Sequence, residues 1–131
     1  MGWRDNCDFS ELTGKTITRI EGMDRLSDCI TFHCSDGSVY NMLHYQDCCE
    51  SVDIEDICGD VNDLLNSPIL RASEDTNRDD APPEDRGGES YTWTFYNIAT
   101  VKGHVTIRWF GSSNGYYSES VSFEKVNPFP N

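Results

Sequence analysis

The sequence predicts an α+β protein that is mostly antiparallel β, with about seven strands in hairpins and one short helix. Apolar and polar residues alternate over residues 91–96 and 104–110, which is the pattern of half-buried strands. Asp36-Gly37 lies between two further strand-like stretches, and Asp-Gly in that setting is a strong hairpin signal. Helical spacing of apolar residues is confined to residues 60–66. The length of 131 residues suits a single domain over residues 1–131.

The first three predicted strands cover residues 15–21, 28–34 and 39–45, which are rich in β-branched and aromatic residues. A two-residue turn at Asp36-Gly37 joins the second strand to the third. Its register places Cys34 opposite Val39 and Cys29 opposite His44. We therefore expect Cys29 and His44 to lie side by side on one face of this hairpin.

The middle of the chain is less regular. Residues 51–57 alternate in polarity and fit either a strand or the start of a helix. Asp60 is positioned to cap the short helix, and Pro68 ends it before a strand over residues 68–73. Residues 74–89 contain two Pro, two Gly and many acidic residues, which predicts an acidic, mobile loop.

The last third of the chain contains the clearest strands, over residues 91–96, 104–110 and 116–126. A three-residue loop over residues 113–115 would place Ile107 opposite Val121. This loop is preferred to a two-residue one because it pairs apolar side chains with each other. The aromatic residues of these strands could form a binding platform, but aromatic residues on alternating strands more often belong to the core.

The chain has 23 acidic and 10 basic residues, a formal net charge of −13. Fourteen of the acidic residues lie between Asp47 and Glu89, where Arg71, Arg78 and Arg86 reduce the net charge only to −11. Neutralising nucleic-acid phosphates or anionic lipid requires a basic patch, so we expect neither to be a direct ligand. No stretch approaches the ~18 apolar residues of a membrane-spanning helix.

This acidity has two interpretations. It can be a solvated face with a disordered loop that serves only solubility. It can also be a surface that meets a basic partner protein. For that second interpretation the candidate binding residues are Asp53, Glu55, Asp56, Asp60, Asp63, Tyr116 and Tyr117. Of the two tyrosines, which are neighbours on a predicted strand, one must point outward.

The densest group of metal-binding side chains is His44, Asp47, Cys48 and Cys49. Imidazole, carboxylate and thiolate are the ligands that zinc prefers, so we expect a structural zinc here. Cys29 could add a ligand from the neighbouring strand. The spacing matches no standard zinc motif, and the alternative is a pair of buried, inert thiols beside a hydrogen-bonded histidine.

Signals for catalysis are weak. Cys48 or Cys49 could form a nucleophile pair with His44, but nothing in the sequence indicates an activated thiolate or an oxyanion hole. The acidic run does not fit a calcium loop, and no cofactor signature is present. We therefore expect a protein that is not an enzyme. The lack of a secretory signal favours a reducing, cytoplasmic location. The six cysteines would suggest disulfides in a secreted chain, but in this location we expect them to be free, buried or metal-bound.

Two segments carry a signature: H-x-x-D-C-C-E-S-V over residues 44–52 and W-x-G-x-S-N-G-Y-Y-S-E over residues 109–119. With Ile54-Glu55-Asp56-Ile57 and Gly59-Asp60 between them, they make the chain resemble a family of small, uncharacterised phage and prophage proteins. The resemblance runs from about residue 12 to residue 123, apart from the acidic loop. Its recurring pattern includes His44, Cys48 and Cys49 but not Cys29, which favours His44, Asp47, Cys48 and Cys49 as the zinc ligands.

A small, acidic, phage-type protein without a catalytic signature also resembles the anti-CRISPR proteins as a class. That resemblance implies a Cas nuclease as the basic partner, because Cas9-like effectors hold their heteroduplex in a positively charged channel. The hypothesis is a non-enzymatic inhibitor that blocks DNA loading in the host cytoplasm. The alternatives are a small metal-dependent hydrolase and a phage accessory protein whose acidity serves only solubility.

Overall fold

The computed structural model describes residues 3–25, 27–45, 50–77, 90–113 and 119–127. Within these ranges lie nine strands and two single 3₁₀ turns, so the prediction of a mostly antiparallel β fold is confirmed. The strands are β1 (Trp3–Asn6), β2 (Ile17–Glu21), β3 (Cys29–Cys34), β4 (Val39–Leu43), β5 (Ser51–Cys58), β6 (Arg71–Asn77), β7 (Ser90–Thr100), β8 (Gly103–Ser113) and β9 (Ser122–Asn127). The 3₁₀ turns are Phe9–Leu12 and Val61–Leu64.

The strands form two sheets that share one hydrophobic core. The first sheet has the order β1-β9-β4-β3-β2 and the second has the order β5-β8-β7-β6. Ile30 and Phe32 of the first sheet and Ile107 and Trp109 of the second are fully buried members of the same cluster. Alternation along the strands therefore directs one face of each sheet into this shared core.

The hairpin between β3 and β4 has a three-residue loop, not the predicted two-residue turn. Gly37 is left-handed at φ +89°, its N–H donates to the Cys34 carbonyl at 3.1 Å, and the Cys34 N–H donates to the Ser38 carbonyl at 2.9 Å. Asp36 accepts a further hydrogen bond from the Ser38 N–H at 2.9 Å. This is a turn followed by a glycine bulge, which Asp-Gly supports as well as it supports the shorter turn.

The longer loop shifts the register of this hairpin by one residue. Phe32 now lies opposite Tyr40 and Ile30 lies opposite Met42, so all four large side chains enter the core. Cys29 lies opposite Leu43, and its predicted position beside His44 is wrong. The cause is burial: the predicted register would place polar Asn41, rather than Tyr40, on the face of Phe32.

The predicted C-terminal hairpin is also wrong. β8 and β9 lie in different sheets, because β8 already has β5 on one edge and β7 on the other. Ile107 is therefore opposite Tyr96 and Ile57, and not opposite Val121. β9 instead completes the first sheet between β1 and β4.

Two local predictions between β5 and β7 need correction. Residues 74–77 of the predicted loop form the end of β6, where Glu74 pairs with Tyr96 and Asp75 pairs with Phe95; residues 78–89 lie outside the described ranges. The short helix is a single 3₁₀ turn, Val61–Leu64, because Asn66 turns the chain with φ +62°.

Within the described part of the chain, no helix is long and apolar enough to cross a membrane.

Candidate functional site

The acidic edge, defined as Asp53, Glu55, Asp56, Asp60 and Asp63, lies on β5 and the turn that follows it. β5 is one of the two edge strands of the second sheet. Val52 and Ile54 are buried in the core, so by alternation Asp53 points to the outer face. The five predicted acidic binding residues are therefore gathered along one border of the sheet.

A β-bulge in β5 brings two consecutive carboxylates onto the outer face. Pairing with β8 is regular up to Ile54, opposite Trp109, and resumes at Asp56, opposite Arg108, which leaves Glu55 as the extra residue. On a regular strand Glu55 and Asp56 would point to opposite faces. The bulge lets both approach Arg108, in keeping with the role of bulges in redirecting side chains.

Arg108 balances the charge of Glu55 within the chain. Its Nε and Nη2 atoms donate to Glu55 Oε2 at 3.0 and 2.6 Å, and Nη2 lies 3.7 Å from Asp56 Oδ2. The guanidinium carbon lies 5.4 Å from the centre of the Trp93 ring, within the range of a cation–π contact. Glu55 therefore serves mainly to hold Arg108, whereas the net negative charge of the acidic edge comes from its aspartates.

Asp60 and Asp63 continue the acidic edge beyond β5. Asp60 is exposed, and its carboxylate caps the 3₁₀ turn by accepting from the Asn62 N–H at 2.9 Å. The Asp63 carbonyl accepts a hydrogen bond from the Thr100 hydroxyl. The Asp63 carboxylate lies against Gly103, where an added Cβ would come within 2.5 Å of Oδ2. Gly103 thus leaves the space that lets this carboxylate pack beside the β7–β8 turn.

His44 and Glu50 form a buried pair where β4 leaves the first sheet and β5 enters the second. His44 Nε2 lies 2.7 Å from Glu50 Oε2, and the exposed fractions of the two side chains are 3% and 0%. His44 Nδ1 lies 2.6 Å from the Ser120 carbonyl oxygen. Because a carbonyl only accepts, Nδ1 must carry a hydrogen, and the Nε2–Glu50 contact then shares a further proton between the two groups.

Glu119, in the second signature segment, is also buried and hydrogen-bonded. Glu119 accepts from the Thr92 hydroxyl at 2.7 Å and from the Ser113 hydroxyl. Its Cβ and carbonyl lie so close to Gly111 that a side chain there would collide with them at 2.9–3.0 Å. Since Ser120, which directly follows this segment, holds His44 through its carbonyl, the two signature segments lie close together here.

A third carboxylate, Glu124 of β9, is buried opposite Asn41 of β4 in the first sheet. The Tyr45 hydroxyl contacts both of its carboxylate oxygens at 2.6 Å. Tyr45 directly follows His44 in the connection between β4 and β5. Its contact with Glu124 therefore holds this connection next to the His44–Glu50 pair.

Several predicted site residues lie outside the described residues. Asp47, Cys48 and Cys49 are among them, as are Tyr116 and Tyr117. Among the residues that the structure does describe, no group of three or more His, Cys, Asp or Glu side chains is arranged to hold a metal ion. Of the four predicted zinc ligands, His44 is the one that the structure describes, and its role as a ligand stays a prediction.

Two of the remaining thiols are in surroundings that disfavour the thiolate. Burial, with a hydrogen bond to Glu11, raises the pKa of Cys7 to about 12. Burial also raises the pKa of the Cys34 thiol above its ordinary value. Since the thiolate is the nucleophile, neither residue has the character of a catalytic cysteine.

Sequence reasoning missed Glu50 and Glu119 as buried anchors, and it missed Arg108 as the partner of Glu55. A signal for Glu50 was present, because a period of two places it on the same face as buried Val52 and Ile54. No comparable signal exists for Arg108, whose contact with Glu55 depends on the bulge and on the pairing of β5 with β8.

The fold and site define a two-sheet antiparallel β-protein with an acidic edge and buried carboxylates. Residues 10–123 match the family model described as Domain of unknown function (DUF7448), and the chain belongs to that family. No curated protein and no solved structure matches the chain.

Proposed function

We propose that this chain is a non-enzymatic inhibitor that binds the basic nucleic-acid-binding surface of a Cas9-like effector and blocks DNA loading. The observation that carries the proposal is the placement of the acidic edge on an edge strand of the second sheet and the turn after it. Carboxylates along one border can approach a positively charged channel together, in the way that successive phosphates do.

The arrangement of charge supports binding more than solubility alone. The acidic edge has five carboxylates, and a bulge adds Asp56 to the outer face beside Asp53. Among the described residues, two arginines contact this edge: Arg108 pairs with Glu55, and Arg25 Nε donates to the Glu55 carbonyl at 2.9 Å. Like charges held this close raise each other's free energy unless a cation meets them. Arg108 meets Glu55 and approaches Asp56 from within the chain, and a basic partner would add cations to a border where carboxylates outnumber them.

The class of partner comes from the resemblance to phage and anti-CRISPR proteins and from the physics of the target. A Cas9-like effector holds its heteroduplex in a positively charged channel that recognises backbone and shape. An acidic protein competes with DNA for such a channel by electrostatic steering, in the cytoplasm of the host cell. A phage accessory protein that is acidic only for solubility is the competing proposal, and it predicts no salt-sensitive binding to the effector.

Neutralising four aspartates of the acidic edge is expected to weaken binding to the effector by about 10- to 100-fold at low salt. The variant is Asp53→Asn, Asp56→Asn, Asp60→Asn and Asp63→Asn; Asn at position 60 still caps the turn, and Glu55 is kept for Arg108. Binding is measured by calorimetry or surface plasmon resonance over a salt series.

The matched control removes the same number of negative charges elsewhere, through Asp8→Asn, Glu11→Gln, Asp24→Asn and Asp28→Asn, all at exposed positions. We expect it to bind within about threefold of the unchanged protein. Equal weakening by both variants, or by neither, would show that the acidic edge is not the binding surface.

Structural zinc remains part of the proposal, with His44, Asp47, Cys48 and Cys49 as ligands. His44 has the orientation that zinc-binding histidines typically show, because its Nδ1–H donates to a backbone carbonyl and leaves Nε2 for the ion. In the present structure Nε2 faces Glu50, so an ion at this position would take the place of that contact.

Elemental analysis of the purified protein is expected to find about one zinc per chain, and a chelator is expected to lower the melting temperature. A Cys48→Ser/Cys49→Ser variant should lose the metal and show the chelator-treated melting temperature without chelator. Metal-free protein that melts at the same temperature with and without added zinc would contradict this part of the proposal.

A metal-dependent hydrolase is less well supported. The side chains of His44 and Glu50 are 3% and 0% exposed, so a substrate has no approach to them in this conformation. Their burial favours a role in stability.

A further inference from the structure

One row of side chains crosses the outer face of the second sheet in register. Asp56 of β5 lies opposite Arg108 of β8, Arg108 lies opposite Phe95 of β7, and Phe95 lies opposite Asp75 of β6. Directly opposed residues point to the same face, so each side chain in this row is a neighbour of the next one. The neighbours of Arg108 along its strand, Ile107 and Trp109, are fully buried, which places the row on the side away from the core.

The β5 side of this row already binds a guanidinium group. Arg108 is held by Glu55 at 2.6 Å, lies 3.7 Å from Asp56, and has its guanidinium carbon 5.4 Å from the Trp93 ring centre. The exposed fractions of the Arg108 and Asp56 side chains are 37% and 41%, so this arrangement is at the surface. An aromatic ring beside carboxylates is therefore a combination that holds arginine on this sheet face.

The β6 side of the row again places an aromatic ring beside a carboxylate. Phe95 is half-buried and presents a ring next to exposed Asp75. Asp75 forms no ion pair with any residue in the described ranges. A guanidinium from outside the chain could stack on the Phe95 ring and pair with Asp75, as Arg108 does with Trp93 and Glu55.

We propose that this outer face recognises an extended, arginine-containing segment of a basic partner protein, with Phe95 and Asp75 holding one arginine beside Arg108. The inference rests on the proposed function in that it takes the partner to be basic, and it adds which basic side chain is recognised. Arginine is favoured over lysine because its planar guanidinium stacks on a ring while it donates two hydrogen bonds to a carboxylate. Lysine offers a point charge without the planar surface and forked donors that stack on a ring and pair with a carboxylate together.

The test uses the full chain and two labelled nine-residue peptides, in which either arginine or lysine alternates with serine. Fluorescence anisotropy at low salt is expected to show the arginine peptide binding about tenfold more tightly than the lysine peptide. Phe95→Leu keeps an apolar side chain but removes the ring, and Asp75→Asn removes the charge. Each should reduce the preference to about twofold or less, whereas Asp24→Asn, in the β2–β3 connection, should leave it unchanged.

Thermal melts of the variants establish that they are folded before binding is compared. Equal affinity for the two peptides, or an unchanged preference in folded Phe95→Leu, would overturn the inference. If neutralising the acidic edge still weakens effector binding in that case, the proposed function stands without this arginine site. If the arginine preference is found but the effector does not bind, the arginine site stands and the proposed function fails.

Discussion

In metal-free protein, replacing Glu50 with alanine is expected to lower the free energy of unfolding by about 3–5 kcal/mol. The Glu50 side chain is fully buried and lies 2.7 Å from His44 Nε2. Removing it leaves a buried imidazole nitrogen without its partner and opens a cavity beside it, and both effects destabilise the folded state. Urea denaturation monitored by circular dichroism measures the change.

Glu50→Gln is the matched control, because it keeps the size of the side chain and its ability to hydrogen-bond with His44. We expect it to cost about 1–2 kcal/mol, clearly less than alanine. In a double-mutant cycle, His44→Ala combined with Glu50→Ala should cost less than the two single changes together. Additive costs, or a loss below about 1 kcal/mol for Glu50→Ala, would show that the pair is not coupled as its geometry indicates.

Replacing Trp109 with alanine is expected to cost about 3–5 kcal/mol, the second large effect. Trp109 is fully buried between the two sheets, and its indole N–H donates to the Met42 sulfur of the other sheet at 3.2 Å. The substitution removes the largest buried side chain of the core and breaks a contact that joins the sheets. Guanidinium denaturation gives the free-energy change, with an m-value that tests whether unfolding stays two-state.

Ser112→Ala serves as the control on the same strand. Ser112 is half-buried and on the outer face by alternation, so its truncation should change stability by about 0.5 kcal/mol or less. Similar losses for Trp109→Ala and Ser112→Ala would contradict the assignment of the inner and outer faces of β8.

Alternation in the sequence was sufficient to predict strands and fold class, but not how the strands pair. The alternation of apolar and polar residues over 91–96 and 104–110 correctly predicted strands. The first stretch lies within β7 and the second lies within β8. The sheet partner of β9 depended on contacts between residues far apart in the chain. Because β8 has neighbours on both edges, a local turn at 113–115 could not decide the pairing.

The hairpin at Asp36-Gly37 shows the same limit on a smaller scale. Asp-Gly predicted a turn at the right place, but both a two-residue and a three-residue loop accept this dipeptide. Burial of Tyr40 and Met42 opposite Phe32 and Ile30 decided between them. Burial of this kind depends on the assembled core, so the sequence of the turn alone does not predict it.

The candidate site was predictable in its composition and not in its geometry. Counting charges was enough to locate the acidic edge from Asp53 to Asp63. The bulge at Glu55 and the pairing with Arg108 arise only when β5 is aligned with β8. The expected neighbour of His44 was Cys29, whereas the observed one is Glu50, because the hairpin register moved by one residue.

The central claim is that the aspartates of the acidic edge compete with DNA for a basic channel. The most direct test measures loading of labelled target DNA onto a guide-bound Cas9-like effector, at about 50 mM and about 300 mM salt. The unchanged protein is expected to block loading at low salt and to lose most of that effect at high salt. The protein with Asn at positions 53, 56, 60 and 63 should block poorly at both. Inhibition by this variant equal to that of the unchanged protein, or no inhibition by either, would contradict the claim.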